Sequence, residues 1–343
     1  MKGERKMETL FGIQYLRAFA ALAVVVFHAA ERNGQHFAIG AAGVDVFFVV
    51  SGFIMMAISD RLPVTPAVFL RDRLLRIAPS YWIVTTVMVL GAAAGLFPNL
   101  RLDLGHILGS YLFIPVASPS TGQLWPVLVQ GWTLNYEMFF YLVFAAALFL
   151  PSRWRLAALA GTLCSVVLLR SALSAGEPGP AAFYTRPLIM EFAAGALLAK
   201  LWKHGALPPP LVGGALMVAA IAGFGAIHGF GLPFDERLCG PLAVMLVLGM
   251  LSIEVGGRLP RLPAVAYLGN SSYSIYLWHT LAISVVTKAG ILLSFPPLLT
   301  AATGAVAGTI LGCLAYEAVE KPLQALLKRR RPLPQSLPVG TTP

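Results

Sequence analysis

Runs of apolar residues, each close to 20 residues long and separated by prolines and glycines, are the feature that most constrains the fold of this chain. A helix of about 20 apolar residues crosses the ~30 Å hydrocarbon core of a bilayer, where every backbone polar group must be paired within the protein. We therefore predict an all-α, polytopic membrane bundle of about ten transmembrane helices. The predicted spans are 10–30, 40–59, 78–97, 131–150, 155–172, 184–202, 209–228, 237–255, 264–287 and 297–319.

Composition supports a membrane protein and argues against other classes. Hydrophobic residues make up 57% of the 343 residues and charged residues only 12%, about half the charged fraction of a soluble domain. The net charge of +10 comes from short basic clusters between apolar runs, which is typical of positive-inside anchoring and not of nucleic-acid binding. The cysteines lie within apolar runs without metal-ligand spacing, so no metal site is expected from Cys164, Cys239 and Cys313.

The basic residues also orient the predicted bundle. With the N-terminus inside, 18 Lys and Arg residues fall on cytoplasmic segments and 6 on outer segments, which predicts that both termini are cytoplasmic. We assign residues 1–325 to one integral membrane domain. Residues 326–343 form a basic, proline-rich tail that we expect to be disordered. The stretch 99–130 is too long for a tight turn, and it either re-enters the membrane or lies along its surface.

Arg17 and His28 interrupt the first apolar run. On one helix, eleven residues bring two side chains within about 20° of the same face and about 16 Å apart along the axis. Charged groups inside a span are costly, so a polar stripe there indicates a functional site. The same pattern is compatible with an interfacial anchor at Arg17 and a helix-end histidine at His28.

Further polar residues fall in other predicted spans. The orientation places Asp45, Glu137, His28 and His279 in the outer half of the bilayer. A carboxylate beside an imidazole can orient it and raise its basicity, as a general base requires. The alternative is a hydrogen-bond network that only holds helices together.

Arg71, Arg73 and Arg76 form a cluster immediately before the predicted third span. Guanidinium groups clamp phosphates bidentately, and this cluster faces the side where phosphorylated donors occur. Positive-inside anchoring explains arginines at the same place.

Two strings combine aromatic and turn-type residues within predicted spans, residues 131–141 and 269–279. Glu137 and Tyr141 are i, i+4 neighbours, and Tyr276 and His279 are i, i+3 neighbours. Interfacial aromatic belts explain much of both strings, but they do not explain Glu137.

Together these strings resemble the acyltransferase-3 family of integral membrane O-acyltransferases, over residues 14–322. The opening residues and the string from Gly43 to Phe53 resemble its ExoZ-like, exopolysaccharide-acetylating branch. The motifs that carry the resemblance are, in chain order, Arg17 with His28, Gly43 to Phe53, Arg71 to Pro79, Trp132 to Tyr141, Tyr273 to His279 and Glu317 to Pro322.

The resemblance implies transfer of an acyl group, usually acetyl from acetyl-CoA, to a hydroxyl of an exported polysaccharide or its lipid-linked precursor. It implies that His28 is the catalytic imidazole, that Arg17 is its partner on the donor side, and that Asp45 and Glu137 support it. The arginine cluster would contact the CoA phosphates, and no metal is implied. Expected supporting or substrate-contacting residues are Ser51, Trp132, Tyr136, Tyr141, Tyr276, His279 and Glu320.

Several alternatives stay open at this point. His28 either deprotonates the acceptor hydroxyl or carries the acyl group covalently. Intramembrane acid, base and arginine also mark transporters or flippases, and a structural partner of a glycan-assembly complex is a third class. Some relatives carry an extracytoplasmic hydrolase-like domain. Few residues follow Pro322, so we expect the membrane domain to finish the transfer or to pass the acyl group to a partner.

Overall fold

The computed structural model describes residues 10–60, 64–172 and 179–329, and all regular structure in these ranges is helical. Short 3-10 turns, Ala38–Ala42, Val129–Gly131 and Pro187–Ile189, lead into α2, α5 and α8, and a π-helical turn, Tyr316–Glu320, joins α12 to α13. The helices are α1 Phe11–Arg32, α2 Gly43–Ser59, α3 Pro66–Ala93, α4 Leu104–Tyr111, α5 Trp132–Ala147, α6 Ser152–Ala172, α7 Pro180–Tyr184, α8 Met190–His204, α9 Pro210–Gly229, α10 Glu236–Val255, α11 Pro263–Leu292, α12 Pro297–Ala315 and α13 Lys321–Arg329.

Each predicted span has a helix in the structure, which confirms the all-helical prediction. Within the described ranges, 8 helical segments are long and apolar enough to cross a membrane. The two predicted spans outside this set correspond to α5 and α8, which have 16 and 15 residues. At 1.5 Å per residue these helices are about 24 and 22 Å long, shorter than a ~30 Å hydrocarbon core.

The outside of the bundle is apolar, as an integral membrane protein requires. Large apolar side chains are widely exposed there, including Phe149 at 79%, Leu211 at 80% and Leu292 at 83%. Water would penalise such a surface, whereas lipid chains match it. The chain is therefore an integral membrane protein.

The start of α3 corrects one predicted boundary. The helix begins at Pro66, 12 residues before the predicted start of the third span, and Pro79 lies inside it. Thr65 caps the helix by accepting a hydrogen bond from the backbone N–H of Val68, and proline suits the first helical position. The predicted start of the third span was set by apolar residues alone. The first turns of α3 are rich in arginine, so they were not included in the predicted span. The arginine cluster consequently lies on the helix, not before it.

Helices α2 and α8 run parallel and cross at very short range. A Cβ added at Gly52 would overlap the carbonyl oxygen of Phe192, and one added at Gly195 would overlap that of Val49. Only glycine permits this approach of two backbones, a common device between membrane helices. The crossing brings buried polar residues of α2 and α8 face to face.

The stretch 99–130 contains α4 and a long irregular segment that packs against the bundle. His106 Nε2 lies 2.9 Å from the carbonyl oxygen of Trp125, and Ser110 accepts a hydrogen bond from the N–H of Val127. Leu128 is only 1% exposed. At the other end of the chain α13 continues to Arg329, so the first four residues of the predicted tail are helical and residues 330–343 lie outside the described residues.

Candidate active site

Two neighbouring cavities contain most of the residues singled out from the sequence. The larger, here called the arginine cavity, has a volume of about 340 Å³ and contains Arg17, Arg73 and Arg76. It follows α2 from Val44 to Ile58, a length of about 21 Å at the helical rise. The smaller, here called the histidine cavity, has a volume of about 90 Å³ and contains His28.

The arginine cavity is strongly basic. Arg17 donates to Gln14 Oε1 at 3.3 Å, and the Nε atom of Arg73 is buried without a partner. Across the described ranges, no ion pair within 4.0 Å includes Arg17, Arg73 or Arg76. Three guanidinium groups without an ion pair outnumber the one carboxylate that lines this cavity, Glu137, and such a basic site suits an anionic ligand such as a phosphate.

Arg71 does not share this environment. It lines neither cavity, its side chain is 52% exposed, and its Nη2 lies 3.5 Å from a carboxylate oxygen of Asp72. The helix explains the difference, because Arg73 and Arg76 are i, i+3 neighbours on one face and Arg71 points elsewhere. The predicted three-arginine site is therefore a pair, and Arg71 is a surface residue.

Glu137 lies in the arginine cavity and not beside His28. It accepts hydrogen bonds from Ser51 at 3.1 Å and from the hydroxyl of Tyr141. Ser51 and Tyr141 also line this cavity, so three predicted site residues meet there. The expectation that Glu137 would lie near the imidazole of His28 is corrected by this arrangement.

Glu320 is held by the π-helical turn. Its carboxylate is buried, accepts from Ser274 Oγ at 2.5 Å and from Gln324 Nε2 at 2.9 Å, and lines neither cavity. A π-helical turn shifts side chains off the regular helical register and frequently occurs at functional sites. Here it directs Glu320 onto α11.

The histidine cavity combines an imidazole, a carboxyl group and aromatic rings. His28, Asp45, Trp132 and Tyr276 line it, and so do Arg186 and Glu236. Arg186 binds Glu236 through two hydrogen bonds of 2.6 and 3.3 Å. His28 and Asp45 therefore line the same cavity, where an imidazole and a carboxyl group face the same space.

His279 on α11 lies next to His28. The two rings lie 5.2 Å apart between centroids. His279 is fully buried and lines neither cavity, and its Nδ1 lies 2.9 Å from the carbonyl oxygen of Ile275. That contact assigns the proton to Nδ1 and leaves Nε2 as a buried acceptor without a partner among the described residues.

Val44 and Tyr276 line both cavities and form the wall between them. The Phe47 ring packs edge-on against Tyr276 with centroids 5.9 Å apart. The Tyr276 hydroxyl lies 3.0 Å from Thr133 Oγ1 and 3.1 Å from the carbonyl oxygen of Gln130. The wall is therefore held by hydrogen bonds from Tyr276 to α5 and to the turn before it.

Two further residues differ from expectation. Tyr136 is fully buried, stacks on Phe183 at 4.2 Å and donates to its carbonyl oxygen, so it is part of the core and lines neither cavity. Glu191, which the sequence analysis did not single out, is buried against Asp45. Glu191 lies inside the predicted span 184–202, and an acidic residue at such a position is the sequence signal that could have identified it.

Comparison with known proteins identifies the family. The model of the acyltransferase-3 family, described as an acyltransferase domain, matches residues 10–317. The chain belongs to this family. It is an acyltransferase, as the resemblance predicted.

Three similar proteins have names that refer to exopolysaccharide production or to acyl transfer. The exopolysaccharide production protein ExoZ of Rhizobium meliloti is 52% identical over 90% of this chain and 96% of its own length. The putative membrane-bound transacylase BcsY of Komagataeibacter xylinus is 30% identical over 78% of this chain and 71% of its own length. The peptidoglycan O-acetyltransferase OatA of Listeria monocytogenes is 24% identical, and the match covers 91% of this chain but 55% of that protein. No solved structure matches this acyltransferase.

Proposed function

We propose that this acyltransferase moves an acetyl group from acetyl-CoA to a hydroxyl of an exported polysaccharide or of its lipid-linked precursor, with His28 as the catalytic imidazole. The relative named for exopolysaccharide production supports the acceptor class. The relative named as an O-acetyltransferase supports acetyl and a hydroxyl acceptor.

The observation that carries the proposal is the meeting of the two cavities at Val44 and Tyr276. One cavity has three arginines and a single carboxylate, a net positive charge that suits a phosphorylated donor. The other has the imidazole that transfer to a hydroxyl requires. Only the shared wall separates them, so a thioester held at the end of the arginine cavity has a short path to His28.

The residues of the arginine cavity fit acetyl-CoA. Arg73 and Arg76 would hold its phosphates, since the buried Nε of Arg73 has no partner among the described residues. The apolar side chains of α2 would cover the pantetheine arm. The donor would extend past Arg17 towards the wall, and Arg17 would hold it in the arginine cavity through charge-assisted hydrogen bonds.

The chemistry at His28 takes one of two forms. In direct transfer the imidazole removes the proton of the acceptor hydroxyl, the oxygen bonds to the acetyl carbon, and the carbon–sulfur bond breaks with its electron pair leaving on sulfur. In two-step transfer the imidazole first takes the acetyl group and then gives it to the hydroxyl. Both forms end with an acetyl ester and CoA.

The proposal includes a topology. Ten spans, with both termini in the cytoplasm of a bacterial cell and the protein in its inner membrane, would open the arginine cavity toward cytoplasmic acetyl-CoA. The count of 18 against 6 basic residues supports this orientation. Residues 1–325 would form the single catalytic domain.

Chemical analysis of exported polysaccharides for ester-linked acetyl tests the function. Four strains are compared: the parent, a deletion, a complemented deletion and a deletion complemented with His28→Ala. We expect ester acetyl to be lost on deletion and restored only by the intact protein, with the variant inserted in the membrane at normal levels. Unchanged acetyl content after deletion would contradict the proposal.

A further inference from the structure

Asp45 on α2 and Glu191 on α8 form a buried carboxyl pair beside the histidine cavity. Their exposed fractions are 0% and 5%, and the two carboxyl groups lie within hydrogen-bonding reach of each other. None of their four carboxyl oxygens receives a hydrogen bond from an N–H or hydroxyl group of the described residues. Asp45 also lines the cavity that contains His28.

Helix packing forces the two groups together. The ring of Phe192, next to Glu191, stacks on Phe48 at 4.5 Å, close to the glycine crossing of α2 and α8. Helix α10 also packs against the pair. Its Gly240 leaves room for the carboxyl group of Glu191, because a Cβ at Gly240 would lie 2.8 Å from Glu191 Oε1. Neither side chain can turn away without disturbing a tightly packed interface.

Two carboxylates cannot hydrogen-bond to each other without a proton. Two negative charges within hydrogen-bonding reach in a buried site repel each other strongly. No lysine or arginine in the described ranges pairs with either group within 4.0 Å. Arg186, which lines the same cavity as Asp45, is already bound to Glu236 at 2.6 Å. The remaining groups around the pair are neutral or acidic, namely His28, Cys239, Asp235 and Tyr276.

We propose that Asp45 and Glu191 share one proton, and that the pair takes up the proton that His28 removes from the acceptor hydroxyl. This inference rests on the proposed function of His28. The imidazolium N–H gives its proton to the pair, which passes from one proton to two, and His28 returns to its neutral form. The second proton then leaves to water in the cavity. Asp45 faces the cavity, and Glu191 is a positioning residue that acts through Asp45.

Infrared spectroscopy of the purified protein tests the shared proton without any activity assay. At neutral pH we expect the carbonyl stretch of a protonated carboxylic acid, and we expect it to disappear in the double variant Asp45→Asn, Glu191→Gln. Glu254→Gln is the matched control, since Glu254 lies on α10, accepts the N–H of Gly12 and lines neither cavity. A difference spectrum between intact protein and double variant without this band would overturn the shared proton.

Turnover measurements test proton uptake. Glu191→Gln keeps the shape of the pair and its hydrogen bond, so a role in packing alone predicts unchanged turnover. We expect turnover to fall at least about 10-fold, less than the roughly 100-fold or more for a lost proton-transfer group because Asp45 remains, with an unchanged KM for acetyl-CoA. The acidic limb of the pH–rate profile should also change shape, because one of two titrating groups is gone. Glu254→Gln should match the intact protein.

The outcomes separate the two proposals. Wild-type turnover and an unchanged pH profile in Glu191→Gln would overturn proton uptake. Failure of the intact protein to transfer acetyl at all would contradict the proposed function, while the infrared result would still decide whether the proton is shared.

Discussion

Arg17 and His28 lie on one face of α1, eleven residues apart, yet each lines a different cavity. Their separation along the helix is about 16 Å. One helix thus carries a cation into the arginine cavity and an imidazole into the histidine cavity. Donor binding and acyl transfer should therefore respond to different substitutions.

Arg73→Ala and Arg76→Ala should weaken donor binding. Each loses charge-assisted hydrogen bonds to phosphate, so we expect the KM for acetyl-CoA to rise about 10- to 100-fold, with a smaller change in kcat. Steady-state release of CoA measures both constants. Arg71→Ala is the matched control from the same helix, and an equal effect of Arg71→Ala would contradict the assignment of the arginine cavity.

Phe47→Ala should open the wall between the cavities. Without the ring that packs on Tyr276, water from the histidine cavity would reach the thioester. We expect hydrolysis of acetyl-CoA without acceptor to rise roughly 10-fold, equivalent to about 1.4 kcal/mol of barrier. A thiol assay for released CoA measures it. Phe47→Leu restores most of the side-chain volume and should return hydrolysis toward the wild-type rate. Equal rates of hydrolysis in the intact protein, Phe47→Ala and Phe47→Leu would show that Phe47 does not keep water from the thioester.

Asp60, at the end of α2, should make stability depend on pH in acid. Burial alone would raise the pKa of its carboxyl group, but hydrogen bonds from Lys200, Ser152 and Lys203 together lower that pKa below its usual value. The ion pair to Lys200 measures 2.6 Å. The carboxylate therefore stabilises the fold fully above the usual aspartate pKa of about 3.9, and this contribution is lost as the pH falls through the lowered pKa.

The measurement is the melting temperature of the intact protein and of Asp60→Asn in detergent. At neutral pH we expect the variant to be less stable by about 2 kcal/mol, between the values for exposed and buried ion pairs. Below about pH 4 the difference should shrink, because the intact carboxyl group becomes protonated. A difference that is constant with pH would show that Asp60 contributes packing and not charge.

The glycine crossing of α2 and α8 should not accept a methyl group. Gly52→Ala and Gly195→Ala each place a Cβ against a backbone carbonyl, and overpacking of this kind costs about 1–3 kcal/mol. Gly161→Ala on α6 is the matched control, since a Cβ there meets no atom within 4 Å. Thermal unfolding in detergent compares the three variants, and equal stability of all three would contradict the close approach.

Patterns within one helix were predictable from the sequence. The apolar runs gave every major helix, and the spacing of Arg17 and His28 gave their common face. The start of α3 was missed because its first turns are polar. If the helix had been extended to Pro66, the i, i+3 relation of Arg73 and Arg76 would have placed them on a different face from Arg71.

Contacts between distant segments were not predictable. Tyr276 meets Gln130 across 146 residues, and Ser51 meets Glu137 across 86 residues. Periodicity places a residue on a helix face but does not say which helix that face meets. The contact of Glu191 with Asp45 could not be predicted for this reason, and Glu137 was expected beside His28 although it lies in the other cavity.

The most direct test of the account is transfer of radiolabelled acetyl from acetyl-CoA to the host's polysaccharide by purified, reconstituted protein, with binding of acetyl-CoA measured in parallel. We predict that the intact protein labels the polysaccharide and that His28→Ala binds acetyl-CoA with unchanged Kd but transfers no label. Labelling by His28→Ala at the rate of the intact protein would contradict the assignment of His28.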